Sequence, residues 1–517
     1  MTLLHIPSIR KTPMVRVTGI GALAYAALLL GGCGDHPPQA LDVKPQGGRI
    51  ILTGATVVDV RAGNLQGPVD LTLDQGKIVA ITPSGSPPAG EAAHIVNVAG
   101  KFVVPGFNDM HAHVLGTPDP TGPLALMLAN GITGFRQMQG SALLLQQRRN
   151  GTLPLFRQAP ALLALPGEPL LPLNAGTVDD AVAAVRQQKQ EGADFIKVVM
   201  VSPPAFLAAQ KEAKRLGLPF AGHIPPGTDA LPAIRGGMKS IEHMGPGAAL
   251  LIPASADQNE LQHMAAALPP LKAPPKWLPF KDAIGAFLFK KTAVNPLASV
   301  SDDTIRISDK ALATVDPRKF HALAQTLAAS GTWQVPTLIR GKTMAMGDAA
   351  EFRHDPHLRY MPSKTVDLWN GVAEDFSKLS PAAKHTLRSS YAMQLRMVKA
   401  FDEAGVKMLV GTDFGGGWLV PGFSIHQEFD ELAKAGLPPL RILQMTTIDP
   451  AEFLGKTLQM GTVEAGKAAD LVILDKNPLT DAKNLHHIHA VVRRGDYYSP
   501  AALRQLLEQA RRLQPSQ

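Results

Sequence analysis

Between residues 130 and 416 the chain repeats one pattern, a short apolar run followed by a stretch with helical spacing. GITGFRQM, ADFIKVVMV, LPFAGHI, KSIEHM, WQVPTLI and KMLVGTDF are the apolar runs. Helical patterns lie between them at Thr177 to Glu191, Pro204 to Arg215 and Ser390 to Ala404. Strand–helix alternation at this density predicts parallel βα units, and so an α/β fold. Closed on themselves, such units make a (β/α)8 TIM-type barrel, which collects functional side chains at strand C-terminal ends and in the loops after them. His113, Lys197, His223, His243 and Asp413 all fall late in their strands.

The stretch FVVPGFNDMHAHVL, Phe102 to Leu115, opens the barrel and supplies a histidine pair. Residues two apart on a strand share a face, so His111 and His113 can aim at one point. Two neutral imidazoles placed this way are a ligand pair for a zinc-like ion. Each later candidate has a plainer reading. His223 and His243 suit satisfied strand-end histidines, Asp413 a helix N-cap, and Lys197 a snorkelling lysine. Taken together, a histidine pair, single histidines on two later strands and an Asp on a last strand favour a metal site. Lys197 sets its type. A desolvated lysine has a lowered pKa, and the neutral amine can take up carbon dioxide to give an anionic carbamate able to bridge two metals.

The ends of the chain have a different texture. ILTGATVVDV, DLTLDQGKIVAIT and HIVNVAGKFVVPG alternate with Gly-containing turns, and LVILD and HAVVRRGDYY repeat that character near the C-terminus. This predicts a small β-sandwich domain built from both ends, residues 49–102 and 456–499, flanking a barrel over 103–455. Insertions at about 246–330 and 341–387 break the barrel rhythm and read as lids or as surface decoration. Residues 500–517 form a C-terminal helix or tail. With 517 residues, 45% hydrophobic and 18% charged, the chain can bury a large core. Its net charge of +8 is thinly spread, with no basic run interleaved with aromatics, which argues against nucleic acid as a partner.

Residues 1–33 read as an export signal. Arg10, Lys11 and Arg16 precede an uncharged segment from Val17 to Gly32 that ends in Leu30-Gly31-Gly32-Cys33. That segment is shorter than a comfortable membrane span of about 20 residues, and small residues before a cleavage point mark a signal peptide. It resembles a bacterial lipoprotein signal, which implies lipidation of Cys33, the sole cysteine. Residues 34–48 then form a flexible tether. The expected location is the cell envelope, with the protein lipid-anchored in the membrane and facing the periplasm. Met14 is an alternative start.

The ordered motifs resemble those of the metal-dependent amidohydrolase superfamily, in the branch of prolidase-like dipeptidases and imidazolonepropionase-related proteins. PGFNDMHAH matches its PGF-x-D-x-H-x-H signature and ADFIKV its carboxylated-lysine strand. GHI, SIEHMG and VGTDFG match its later ligand strands, and GTVEAGKAADLVILDKNPL its ending. The resemblance implies that His111, His113 and Asp413 hold one divalent ion and His223 and His243 a second, zinc being the expected metal. Carboxylated Lys197 and a hydroxide would bridge them, with Asp413 as proton shuttle. It further implies cleavage of C–N amide or peptide bonds, as a dipeptidase or N-acyl-amino-acid hydrolase acting on a dipeptide or small-molecule substrate. Alternatives are a one-metal cyclic-amide hydrolase or deaminase, a lactone or phosphotriester hydrolase, and a non-catalytic envelope binding protein. A homo-oligomer is left open. Two loops depart from the family pattern. Gln137 stands where an acidic residue is usual, and VVMVSPPAF replaces a Ser-Gly-Gly type. His426 and Glu428, in FSIHQEFDEL, are expected on a helix near its N-terminus. His263, His321, His354, His357, His385, His486, His487 and His489 are expected to be surface or structural.

Overall fold

The alternating segments at the two ends of the chain form one hydrogen-bonded sheet in the computed structural model, which describes residues 41–86, 93–269 and 294–513. The strands are β1 (Ile50–Asp59), β2 (Asn64–Asp74), β3 (Lys77–Pro83), β4 (His94–Asn97) and β5 (Phe102–Pro105) from the N-terminal part. Strands β13 (Leu471–Leu474), β14 (Ile488–Arg493) and β15 (Asp496–Tyr498) join them from the C-terminal part. The order is β15-β14-β13-β5-β1-β2-β3, with β4 beside the start of β1. β5 joins the two halves, pairing parallel with β1 and antiparallel with β13. Side-chain alternation then divides the residues between two cores. Val103, Leu471 and Ile473 pack with Ile50, Leu52, Leu71 and Leu73 inside the curled sheet, whereas Val104, Val472 and Leu474 join the core of the barrel.

Past Pro105 the chain enters the barrel. β6 (Phe107–Ala112), β7 (Ile132–Gln137) and β8 (Ala161–Ala164) make one parallel sheet, and β9 (Ile196–Val198), β10 (Phe220–Gly222), β11 (Met238–Glu242) and β12 (Trp333–Val335) another. The amide of Leu170 on the Lys197 carbonyl, 2.8 Å, joins them on one side. On the other side residues 406–410 bridge the gap. The Leu409 amide bonds the Gln334 carbonyl and the Met110 amide the Val410 carbonyl, both at 2.9 Å. The ring is a closed (β/α)8 barrel. The 406–410 segment forms an isolated bridge rather than a ladder, and the Val410 amide turns out to the Met445 carbonyl on the helix Pro439–Thr446.

The helices follow their local signals. Thr177 caps Val178–Glu191 by accepting from the Asp180 amide, and Gly192 ends it at a φ of 85°. The helix expected from Ser390 begins earlier, at Pro381, because Ser380 caps it and Pro381 fits its first turn. The first insertion holds the helices Gln258–Ala266, Asp302–Ala313 and Pro317–Ser330, and the second holds Ser363–Lys378. Trp369, Phe352 and Tyr360 of that second insertion pack with Trp418, Leu419 and Val420 in the loop after the last barrel strand. Cys33 and the signal segment lie outside the described residues. Among the described residues no helix is long and apolar enough to cross a membrane.

Candidate metal centre

The strand ends bring His111, His113, His223, His243 and Asp413 to one place. Nε2 of His111 lies 3.2 Å and Nε2 of His113 3.1 Å from the same oxygen, Oδ1 of Asp413. Donor atoms of these three residues stand within 4.8 Å of one another. The other two histidines continue the cluster, with ring centroids 4.6 Å apart for His111 and His243 and 5.1 Å for His223 and His243. Two glycine-dependent contacts make this closeness possible. A Cβ on Gly411 would lie 2.7 Å from that of His111, and one on Gly416 would meet the Arg340 guanidinium at 2.4 Å. Arg340 in turn places Nε 3.3 Å from Asp413 Oδ2, leaving Oδ1 toward the histidines.

Fixed partners set two of the imidazole tautomers. Nδ1 of His111 is 2.7 Å from Glu242 Oε2, a carboxylate that only accepts, so Nδ1 carries the proton and Nε2 keeps its lone pair. Glu242 is itself clamped. Arg136 donates to both of its oxygens at 3.0 and 3.1 Å and Ser240 donates to one at 2.6 Å. Nδ1 of His243 is 2.6 Å from the Thr337 hydroxyl. Asp109 is structural: it accepts the amides of His111 and Thr412 and the Thr412 hydroxyl, tying the first barrel strand to the last.

Electrostatics favours lone pairs over charges here. Burial lowers His113 and His223 and pushes His243 down to about 3, against the attraction of Asp413. Burial alone would raise the Asp413 carboxyl, but His243, His111 and His113 hold it well below the usual range. Lys197 is 2% exposed, and burial lowers it to about 8 against the pull of Glu242 and Asp413. Its Nζ has no hydrogen-bond partner among the described residues. Neutral imidazoles and one ionised carboxylate are the donor chemistry that a zinc-like ion takes, so the residues fit a metal.

Glu242, Arg136, Thr337 and Arg340 escaped the sequence reading. Glu242 directly precedes His243, and Arg136 lies inside GITGFRQM, which are weak signals. Arg340 and Thr337 carry none. Gln137 is wholly buried, accepting the Leu115 amide and donating to the Gln139 carbonyl, so it braces the loop after β6. His426 and Glu428 occupy the first turns of the helix Phe423–Lys434. His426 packs on Phe107, Phe429 and His486, away from the cluster of ligands.

Residues 362–497 match the sequence model of the amidohydrolase family. Over that stretch the chain is similar to the amidohydrolase family. Bottromycin amidohydrolase shares the fold of this chain with a TM-score of 0.64 at 22% identity, over 90% of each chain. An Xaa-Pro dipeptidase solved with methionine in its active site gives 0.57 at 19% identity, over 87% of this chain and all (100%) of the other. A dihydroorotase of Syntrophus aciditrophicus (strain SB) is 42% identical over 67 residues, 13% of this chain and 15% of its own length. The chain therefore spans only about a seventh of the length of that curated relative.

Proposed function

We propose that the protein hydrolyses C–N amide bonds, with a dipeptide or N-acyl amino acid as substrate. The observation that carries this reading is the convergence of Asp413 with four histidines and the buried amine of Lys197 at the strand C-terminal ends. Likeness in fold to an Xaa-Pro dipeptidase and a prolidase supports it. Divalent ions, when bound, polarise a carbonyl and lower the pKa of water. His111, His113 and Asp413 would hold one ion, and His223, His243 and Lys197, the last as its carbamate, would hold a second. Asp413 does the proton work. With Oδ2 held by Arg340, its carboxylate takes the proton from the attacking water and passes it to the departing nitrogen.

A soluble form beginning after Cys33, loaded with Zn2+, tests the reading against dipeptide and N-acyl amino-acid libraries. Turnover of these supports it. Turnover of lactones or phosphotriesters alone overturns it. A one-metal reading, hydrolysis of a cyclic amide or deamination, draws on the compactness of the His111–His113–Asp413 group. One metal equivalent per chain rather than two would favour it. From the first 33 residues alone we also propose lipid anchoring through Cys33 in the bacterial envelope. Cys33→Ser is expected to release the protein from the membrane fraction, and retention there would refute the anchor.

A further inference from the structure

Thr337 begins the helix Leu338–Ala345 but does not cap it. Threonine at this position ordinarily turns its hydroxyl back onto an amide of the first turn. Here the hydroxyl donates to the Pro336 carbonyl at 2.8 Å and lies 2.6 Å from Nδ1 of His243. With its own proton committed, the oxygen accepts from the imidazole, so His243 carries its proton on Nδ1 and keeps the Nε2 lone pair. The capping role passes to another helix. Glu428, wholly buried on Phe423–Lys434, accepts the Ile339 amide at 2.7 Å, and the Leu338 amide also bonds this carboxyl. Thr337 itself sits at a φ of 46°. A β-branched residue in that left-handed region costs on the order of 1–3 kcal/mol and persists only where its surroundings over-determine it.

We infer that Glu428 is a positioning residue for His243: by capping Leu338–Ala345 in place of Thr337, it frees the Thr337 hydroxyl to set the tautomer and direction of this ligand. The inference rests on reading His243 as a metal ligand, and it adds a residue one helix away from the site. Glutamine in place of Glu428 keeps a carbonyl for the same two amides. Leucine removes it. Aspartate keeps the carboxyl but withdraws it by one methylene. Loss of the cap lets Thr337 turn back to its own helix, and His243 then loses its partner.

The test is Zn2+ affinity, measured by competition with a chromophoric chelator, alongside thermal unfolding of the metal-free protein. Glu428→Leu is expected to weaken Zn2+ binding about 10–100-fold, the range for losing a partner of a metal-bound histidine. Glu428→Gln should restore nearly all of the lost affinity. Thr337→Val should weaken binding to a similar degree, and Glu428→Leu with Thr337→Val should be no weaker than the weaker single variant. If Glu428→Leu does not fold, Glu428→Asp replaces it, with an intermediate loss expected. A lower Tm with unchanged Zn2+ affinity overturns the inference, as do losses that multiply in the double variant. Failure of the wild-type protein to bind Zn2+ overturns both this inference and the proposed function. Binding without hydrolysis of any amide overturns the proposed function alone.

Discussion

Lys197 and Asp413 are opposite cases of one problem, a charge in a dry place. Burial dominates at Lys197 even with Glu242 and Asp413 near, which is why the amine falls to about 8. An unpartnered amine is worth less to the metal-free fold than an apolar side chain of similar length. Lys197→Met is therefore expected to stabilise the metal-free protein by about 1–3 kcal/mol, the penalty for an unsatisfied buried polar group. The same substitution should lower bound metal from two equivalents toward one, and urea unfolding in chelator with metal analysis checks both halves. Asp413 behaves differently, since the histidines around it keep it ionised. Asp413→Asn should retain much of the first metal and lose about 10²–10⁴-fold in turnover, the range for removing a general acid–base group. An Asn variant with near-native turnover would remove Asp413 from the proton path.

At the scale of elements, the site depends on ties between strands that are distant in sequence. Arg136 on β7 reaches Glu242 on β11, and Glu242 reaches His111 on β6. Arg136→Met would leave the Glu242 carboxylate buried without its cation. A loss of about 3–5 kcal/mol is expected, because breaking a buried pair strands the remaining charge. Arg136→Met with Glu242→Gln should recover part of it, and chemical unfolding of both variants in chelator measures the difference.

Glu428 supplies a pH test at the same scale. Burial raises it from the model-compound value of 4.5 to about 8, against the amides of Ile339 and Leu338, with Glu431 and Asp109 adding to the rise. A carboxyl raised on folding adds stability that is full below its unfolded pKa and fades as pH climbs through its folded one. The Glu428 contribution should thus fade from about pH 5 to about pH 8, and Glu428→Gln should flatten that part of the slope. Thermal scans of both proteins at the two pH values decide it, and equal slopes would contradict the assignment.

These ties also mark what could be read from sequence. The strand-end residues that the fold brings together were legible because they sit in apolar runs with a local pattern. β8 was missed, since ALLAL is a short run between Pro160 and Pro166 with no adjoining helical repeat to reveal it. The Arg136–Glu242 and Thr337–His243 contacts were invisible for a different reason. Their partners stand about a hundred residues apart and meet only when the barrel closes.

For the whole molecule, metal binding and folding should be one linked equilibrium. The candidate ligands come from β6 through the loop after residue 410, so an ion held by them would tie together parts of the barrel spread over 300 residues of chain. A ligand that binds only the native state adds about 4 kcal/mol at a thousandfold excess over its Kd, and chelation should lower the Tm accordingly. The pH dependence of that shift carries more information. An ordinary imidazole competes with protons below its pKa, so metal affinity falls as acid is added. Here burial lowers His113, holds His223 well below the ordinary value and His243 at about 3, so acid competes less at these rings than at an ordinary imidazole. Lys197 is the exception, because with a pKa of about 8 it must shed a proton before it can form a carbamate. Lowering the pH from about 8.5 to about 6 should therefore remove one metal equivalent and leave the other. Equilibrium dialysis against Zn2+ across that range, with Tm followed in parallel, is expected to show two equivalents falling to one. In Lys197→Met the count should stay at one throughout. Simultaneous loss of both ions in the wild-type protein would mean that the histidines protonate together and that Lys197 has no separate part in the second site.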